Sequence, residues 1–176
     1  HTDVGVGMFL NATEMMALWL SLKIATVAIL LILPLAVFIG YILARWNTRG
    51  KTFLETIINI PLVLPPVVTG YLLLVAFGRG GPFGILLQQI FHIKIVFTWL
   101  GAVLAAAVVS FPLMVRAIRL AFQSIDPRLE MAARSLGASR LDAFFSVSLP
   151  LAFRGIVSGC VLGFARSLGE FGATIM

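Results

Sequence analysis

Arg166 and Glu170, four residues apart in an otherwise apolar stretch, are the first candidates for chemistry in this chain. On a helix that spacing puts both on one face, and pairing lowers the cost of placing either charge in hydrocarbon. Two readings stay open: a packing ion pair, or a cation that faces an anion path. Gly50-Lys51-Thr52 has the ending of a phosphate-cradling loop. The earlier glycine such a loop needs falls on Arg45 and no strand precedes it, so the segment reads as a basic turn. His92 has no ligand-spaced His, Cys or carboxylate near it, and Cys160 is the single cysteine. Neither a metal site nor an internal disulfide is expected. No Ser/His, His/Glu or paired-Asp arrangement suits catalysis. The chain reads as no enzyme, without a catalytic residue or a cofactor of its own.

The elements that hold these residues are membrane spans. Apolar residues are 60% of the 176 and charged ones 11%, against about 25% charged in soluble domains. That balance excludes a water-soluble globule. Ile24–Ala44, Thr56–Phe77 and Ile95–Val115 carry no charge and run 21, 22 and 21 residues, and a bilayer takes about 20 residues of helix. Gly155–Met176 is a fourth run, broken only by Arg166 and Glu170. None alternates, so helices are expected rather than barrel strands. The fold class is all-α polytopic, a single transmembrane domain over 1–176. Its spans fall at about 19–44, 54–77, 95–116 and 151–176, with a polar loop over 117–150.

Charge placement orients the spans. Arg45, Arg49 and Lys51 lie between the first two, and Arg116, Arg119, Arg128, Arg134, Arg140 and Arg154 between the last two. Only Lys23, Arg79 and Lys94 lie on the other side. Positive residues collect on the cytoplasmic side, which puts the N-terminus outside. The net charge of +6 belongs to these loops, and no basic, aromatic-interleaved surface points to nucleic acid. Trp19 and Trp46 flank the first span as interface anchors, and Pro34 can kink it. Pro61, Pro65 and Pro66 fall within six residues of the second span. Each removes a backbone donor, so this stretch is a structural kink or faces protein or a water-filled path. Residues 85–93, with His92, are too short to span and read as interfacial. Ala102, Ala105, Ala106, Ala107 and Ser110 permit close packing of the third span. Gly155, Gly159 and Gly163 form a ridge on the fourth, for packing within the protein or between copies.

The loop between the last two spans looks built to be gripped. Asp126-Pro127 opens a helix, and Leu129, Ala132, Ala133 and Leu136 give it one apolar face. Gly137 suits the left-handed residue that ends it. Ser139, with Asp142 three residues on, caps a second short helix with Leu141, Phe144 and Phe145 as its apolar face. Pro150 closes the loop before the next span.

Ala132-Ala133, three residues, Gly137, nine residues, then Val147-Ser148-Leu149-Pro150 resembles the EAA loop of ABC-importer permeases. The usual Glu is displaced: Met131 stands in its place and Glu130 precedes it. The order of spans is similar to a type I ABC-importer permease (MetI-like) fold. Pro61-Leu-Val-Leu-Pro-Pro-Val-Val, Ser110-Phe-Pro-Leu-Met-Val-Arg-Ala-Ile-Arg119 and Phe164-Ala-Arg-Ser-Leu-Gly-Glu-Phe-Gly-Ala-Thr174 resemble the molybdate permease subunits, whose pattern sulfate and tungstate permeases share.

The resemblance implies a multi-pass protein of a bacterial inner (plasma) membrane, working as a homodimer. Its partners would be an ABC ATP-binding subunit and a periplasmic or extracellular oxyanion-binding protein. It implies that Glu130, Ala132, Ala133, Gly137, Ala138, Leu141 and Phe144 dock on the ATPase. Pro61, Pro65, Pro66, Arg166 and Glu170 are candidates for a path or gate. A membrane anchor or sensor that recruits a regulator is the alternative of another class. The apolar end at Ile175-Met176 reads as a C-terminal truncation, with at least one further span beyond.

Overall fold

The computed structural model describes residues 12–45, 50–78, 81, 84–85 and 98–175. Expectations for residues 1–11, Trp46, Arg49, Arg79, residues 86–93 with His92, Lys94, and the side chain of Glu170 lie outside the described residues. The elements are α1 (Ala12–Arg45), α2 (Gly50–Val63), α3 (Pro66–Phe77), α4 (Trp99–Gln123), α5 (Pro127–Ser135), α6 (Arg140–Ala143), a π turn over Phe144–Ser148, and α7 (Leu149–Ile175). No strand occurs among the described residues. Three stretches are long and apolar enough to cross a membrane: Met15–Arg45, Trp99–Gln123 and Arg140–Gly169.

α1, α4 and α7 make the core. Ile24, Ala28, Ile32 and Ala36 recur every fourth residue of α1 and are buried, the repeat that keeps one helix face on its neighbour. α4 answers with Val103, Ala106, Ala107, Ser110, Met114, Val115, Ile118 and Phe122, spaced by threes and fours. α1 and α4 run parallel. At one end the Lys23 ammonium lies 5.5 Å over the Trp99 ring; at the other, Arg45 Nη1 donates to the Ile125 carbonyl just past α4, at 3.2 Å. Lys23 thus keeps its charge at an aromatic face instead of in bare hydrocarbon.

α7 runs antiparallel to α4, in a register set by its glycines. Gly155 faces Ala121, Gly159 faces Ile118 and Gly163 faces Met114, and Ser167 then meets Ser110 in a buried hydroxyl pair at 2.8 Å. The ridge therefore packs inside one copy. A Cβ at position 155 would fall on the Cβ of Ala121, which has no rotamer to yield with. Gly155→Ala is expected to lower stability by about 1–3 kcal/mol through overpacking, read as the thermal midpoint of the purified protein in detergent. Gly169→Ala is the control, because nothing stands within 4 Å of a Cβ there.

The second expected span is two helices. α2 and α3 are bent by 111° to each other. The break falls at Leu64-Pro65, where two consecutive prolines remove two donors and force the preceding residues to extend. Pro65 accordingly sits at φ −55°, ψ 143°, with Pro66 at the first helical position. Pro61 lies inside α2 without ending it. At 14 and 12 residues and 1.5 Å per residue, each helix is about 18–21 Å long, so neither crosses the roughly 30 Å hydrocarbon core alone.

The expected loop also shrinks. α4 runs to Gln123, past its expected end at 116, because buried Phe122 carries the core beyond the apolar run. Pro150, expected to close the loop, lies inside a helical stretch that starts at Arg140. The widened π turn occupies the residues just before it, where a proline without an amide must break the usual bonding ladder in any case.

Candidate functional site

The segment between α4 and α7 folds by its own capping chemistry. The Asp126 carboxylate accepts from the Arg128 amide at 2.9 Å, with Pro127 at the first helical position. α5 ends in a complete Schellman motif: Gly137 N–H donates to the Arg134 carbonyl and Ala138 N–H to that of Ala133, both at 3.1 Å. Gly137 has φ +100°, the left-handed region, and among the described residues nothing would touch a Cβ there. The backbone angle, not crowding, asks for glycine. Ser139 and Asp142 close a reciprocal capping box at the start of α6.

What holds α5 to the spans is Glu130. Arg45, at the last turn of α1, donates to Glu130 Oε1 from Nη2 at 2.7 Å and from Nε at 3.1 Å. Tyr41 Oη donates to Oε2 at 3.1 Å, and the buried Ser148 hydroxyl donates to Oε1. One carboxylate thus ties together α1, α5 and the π turn. Burial alone would push this carboxyl up. The hydrogen bonds from Ser148 and Arg45, the Arg45 charge and the Tyr41 hydroxyl outweigh it and hold Glu130 below the usual carboxylate range. Beneath it lies an aromatic cluster. Tyr41 meets Phe122 and Phe144 edge-on at 5.3 and 4.7 Å.

A group whose folded pKa is depressed contributes stability above its unfolded pKa, here about 4.3 for a glutamate. That contribution goes as pH falls through the lower folded value. Glu130→Gln is therefore expected to be less stable than the parent at pH 7, and the gap between the two stability curves should close as pH falls through the lowered folded value. Thermal midpoints of the two proteins between pH 7 and pH 3 check this.

Two of the expected docking residues face inward. Glu130 is spent inside the chain, because the nearest cation and two hydroxyls all lie toward α1 and the π turn. Phe144 is half-buried against Tyr41 and Phe122, because it sits on the edge of the α6 face nearest α1. The residues turned outward are Leu129 (47% exposed), Met131 (55%), Leu136 (90%), Leu141 (70%) and Phe145 (60%). Ala132 and Gly137 are exposed, and Ala133 and Ala138 half-buried beside them. Among the described residues nothing covers this apolar ridge. A cavity of about 490 Å³ opens between it and α1, walled by Phe38, Tyr41, Phe144 and Phe145 with Arg134 and Arg140 among its lining.

The sequence reading missed Tyr41, Arg45 and Ser148. A signal was present. Glu130 is the one carboxylate of α5, and Arg45 closes α1, so a charge pair between the two helices was open to inference. Pro61, Pro65 and Pro66 mark the α2–α3 bend, while Arg166 lies on α7, half-buried and engaged by other groups.

Apolar helices long enough to cross a membrane, α1 and α4 parallel and α7 antiparallel to them, with a capped apolar ridge at one end, describe an integral membrane subunit. Residues 36–176 match the family described as the binding-protein-dependent transport system inner membrane component, and the chain belongs to it. It is 55% identical over 168 residues to the molybdenum transport system permease protein ModB of Escherichia coli (strain K12), covering 96% of this chain and 73% of that one. To the ModB of Haemophilus influenzae it is 56% identical over 162 residues, covering 92% and 71%. To the putative molybdenum transport system permease protein YvgM of Bacillus subtilis it is 44% identical over 157 residues, covering 89% and 69%. The chain is a permease component of an inner membrane, not the energy-supplying enzyme.

Proposed function

We propose that this chain is the membrane path of an ATP-driven importer for molybdate, with its N-terminus outside and two copies side by side. The observation that carries the coupling part is the uncovered apolar ridge on α5 and α6, tied rigidly to α1 through Glu130. A soluble ATP-binding subunit that grips the ridge moves the end of α1 with it. Closing of two such subunits then rocks the spans between outward- and inward-facing states, as differential affinity for the two states requires. Selection of the anion falls to the external binding protein. Molybdate is the choice because the relatives at 44–56% identity are named for molybdenum transport.

The test is ATP-driven uptake of labelled molybdate by vesicles holding the complete complex, with sulfate and tungstate as competitors. Preferred sulfate uptake would replace the substrate and leave the mechanism. No uptake of any oxyanion, with ATPase and binding protein supplied, would favour the anchor or sensor reading.

A further inference from the structure

α2 carries two exposed faces of opposite character. Phe53 and Ile57 are apolar and exposed at 71% and 46%, as lipid contact requires. About a third of a turn away runs a polar stripe, Thr52, Glu55, Thr56 and Asn59, at the i, i+3, i+4, i+7 spacing of one helix face. A third face, about a third of a turn from the stripe on its other side, holds buried Ile58 and half-buried Leu54, packed toward the core.

The stripe lines an open groove of about 550 Å³ that continues past Ile60 to Val63 and Leu64, ending at the proline break. Its polar groups are only partly used within the chain. Thr56 Oγ1 donates to the Thr52 carbonyl at 2.8 Å and Asn59 Nδ2 to the Glu55 carbonyl at 2.7 Å. Glu55 Oε1 lies 2.7 Å from Arg119 Nη1 of α4. By distance this is an ion pair, although Oε1 gains no well-aligned hydrogen bond from it. Arg119 cancels the Glu55 charge, so the groove shows hydroxyl and amide groups and no net negative charge to an anion.

Polar side chains at membrane depth face protein or a water-filled cavity, because lipid offers them no partner. Among the described residues no element covers this groove. We infer that the Thr52–Thr56–Asn59 face of α2 lines the cytoplasmic half of the water-filled oxyanion path, which ends at the Leu64-Pro65 bend. The inference rests on the transport reading and adds which face of which helix is wet. Asn59 is the deciding residue. It stands nine residues beyond Gly50, about 14 Å into the helix at 1.5 Å per residue, too deep to be wetted by the loop alone.

The experiment uses the whole complex in inside-out vesicles, with Cys160→Ala in the permease so that no native thiol remains. Single cysteines at Thr56→Cys, Asn59→Cys, Phe53→Cys and Ile57→Cys are treated with a membrane-impermeant methanethiosulfonate while ATP-driven release of labelled molybdate from the lumen, which is the uptake direction of the complex, is followed. A thiol reacts as its thiolate, which forms only where water reaches it, so Asn59→Cys should react about tenfold or more faster than Ile57→Cys. Modification at 56 or 59 should also block uptake, while modification at 53 should not. Equal reaction on both faces, or none at 59 while uptake is intact, overturns the inference and leaves the transport reading standing. A disulfide formed between copies at 59, without labelling, would assign the stripe to the seam between permeases and equally overturn it. Failure of the unlabelled parent to take up any oxyanion sinks the transport reading, and the path with it.

Discussion

Leu141→Asp is expected to release the ATP-binding subunit, whereas Phe144→Leu is expected to keep it. Leu141 is 70% exposed on the ridge, so a change there should cost little folding stability. If a partner covers it, burial contributes about 1.5–3 kcal/mol, and each 1.4 kcal/mol is about tenfold in affinity. A buried, unpaired carboxylate in its place costs more than the lost contact. Capture of the ATPase should therefore fall by about a hundredfold or more by that arithmetic, with the thermal midpoint of the permease unchanged. Phe144 gives the converse. Its ring fills the cluster with Tyr41 and Phe122, so truncation should lower the thermal midpoint and leave capture at the parent level once the protein is folded. Co-purification with the ATPase, set beside thermal unfolding of each variant alone, separates the two. Intact capture by Leu141→Asp would remove the ridge from the coupling path.

How far the sequence could see is clearest at these two residues. The helix ends were legible one by one, because caps are local: Asp126, Gly137 and Ser139 each act on an amide or a dihedral within three residues. Three of the spans were legible for the same kind of reason, since a long apolar run needs no knowledge of its neighbours, whereas the second broke at Leu64-Pro65. Where α6 points was not legible. Leu141, Phe144 and Phe145 share one apolar face by periodicity, and only the position of Tyr41, about a hundred residues earlier, decides that Phe144 turns in and Phe145 turns out. The same holds for Glu130, whose partners Tyr41 and Arg45 come from the end of α1 and Ser148 from the π turn. The π turn hid the continuity of Arg140–Ile175, because Pro150 looks like a stop and the widened turn lets the helix pass it.

Cutting Glu130 from Arg45 should uncouple the transporter without undocking it. Four hydrogen bonds from two elements, α1 and the π turn, meet on this carboxylate, and both ion-pair partners are under a fifth exposed, at 19% and 17%. A hydrogen bond to a charged group contributes about 1.5–3 kcal/mol, so Glu130→Gln, which keeps the shape and loses the charge, should cost about 2 kcal/mol by that range. α5 itself does not need the latch, since its caps are made within the segment. The ridge should then still dock, and ATP hydrolysis should continue, while the movement no longer reaches α1. The expected result is molybdate uptake reduced by about tenfold or more, the equivalent of 1.4 kcal/mol lost from the link, with ATPase capture at the parent level. Arg45→Gln should show the same pattern, and the double variant should be little worse than either, with a coupling of about 1–3 kcal/mol in a double-mutant cycle. Fully additive losses in the double variant would mean that the pair does not act as one unit. Loss of ATPase capture in Glu130→Gln would instead give the carboxylate a direct place on the partner, against the inward geometry that Arg45, Tyr41 and Ser148 impose.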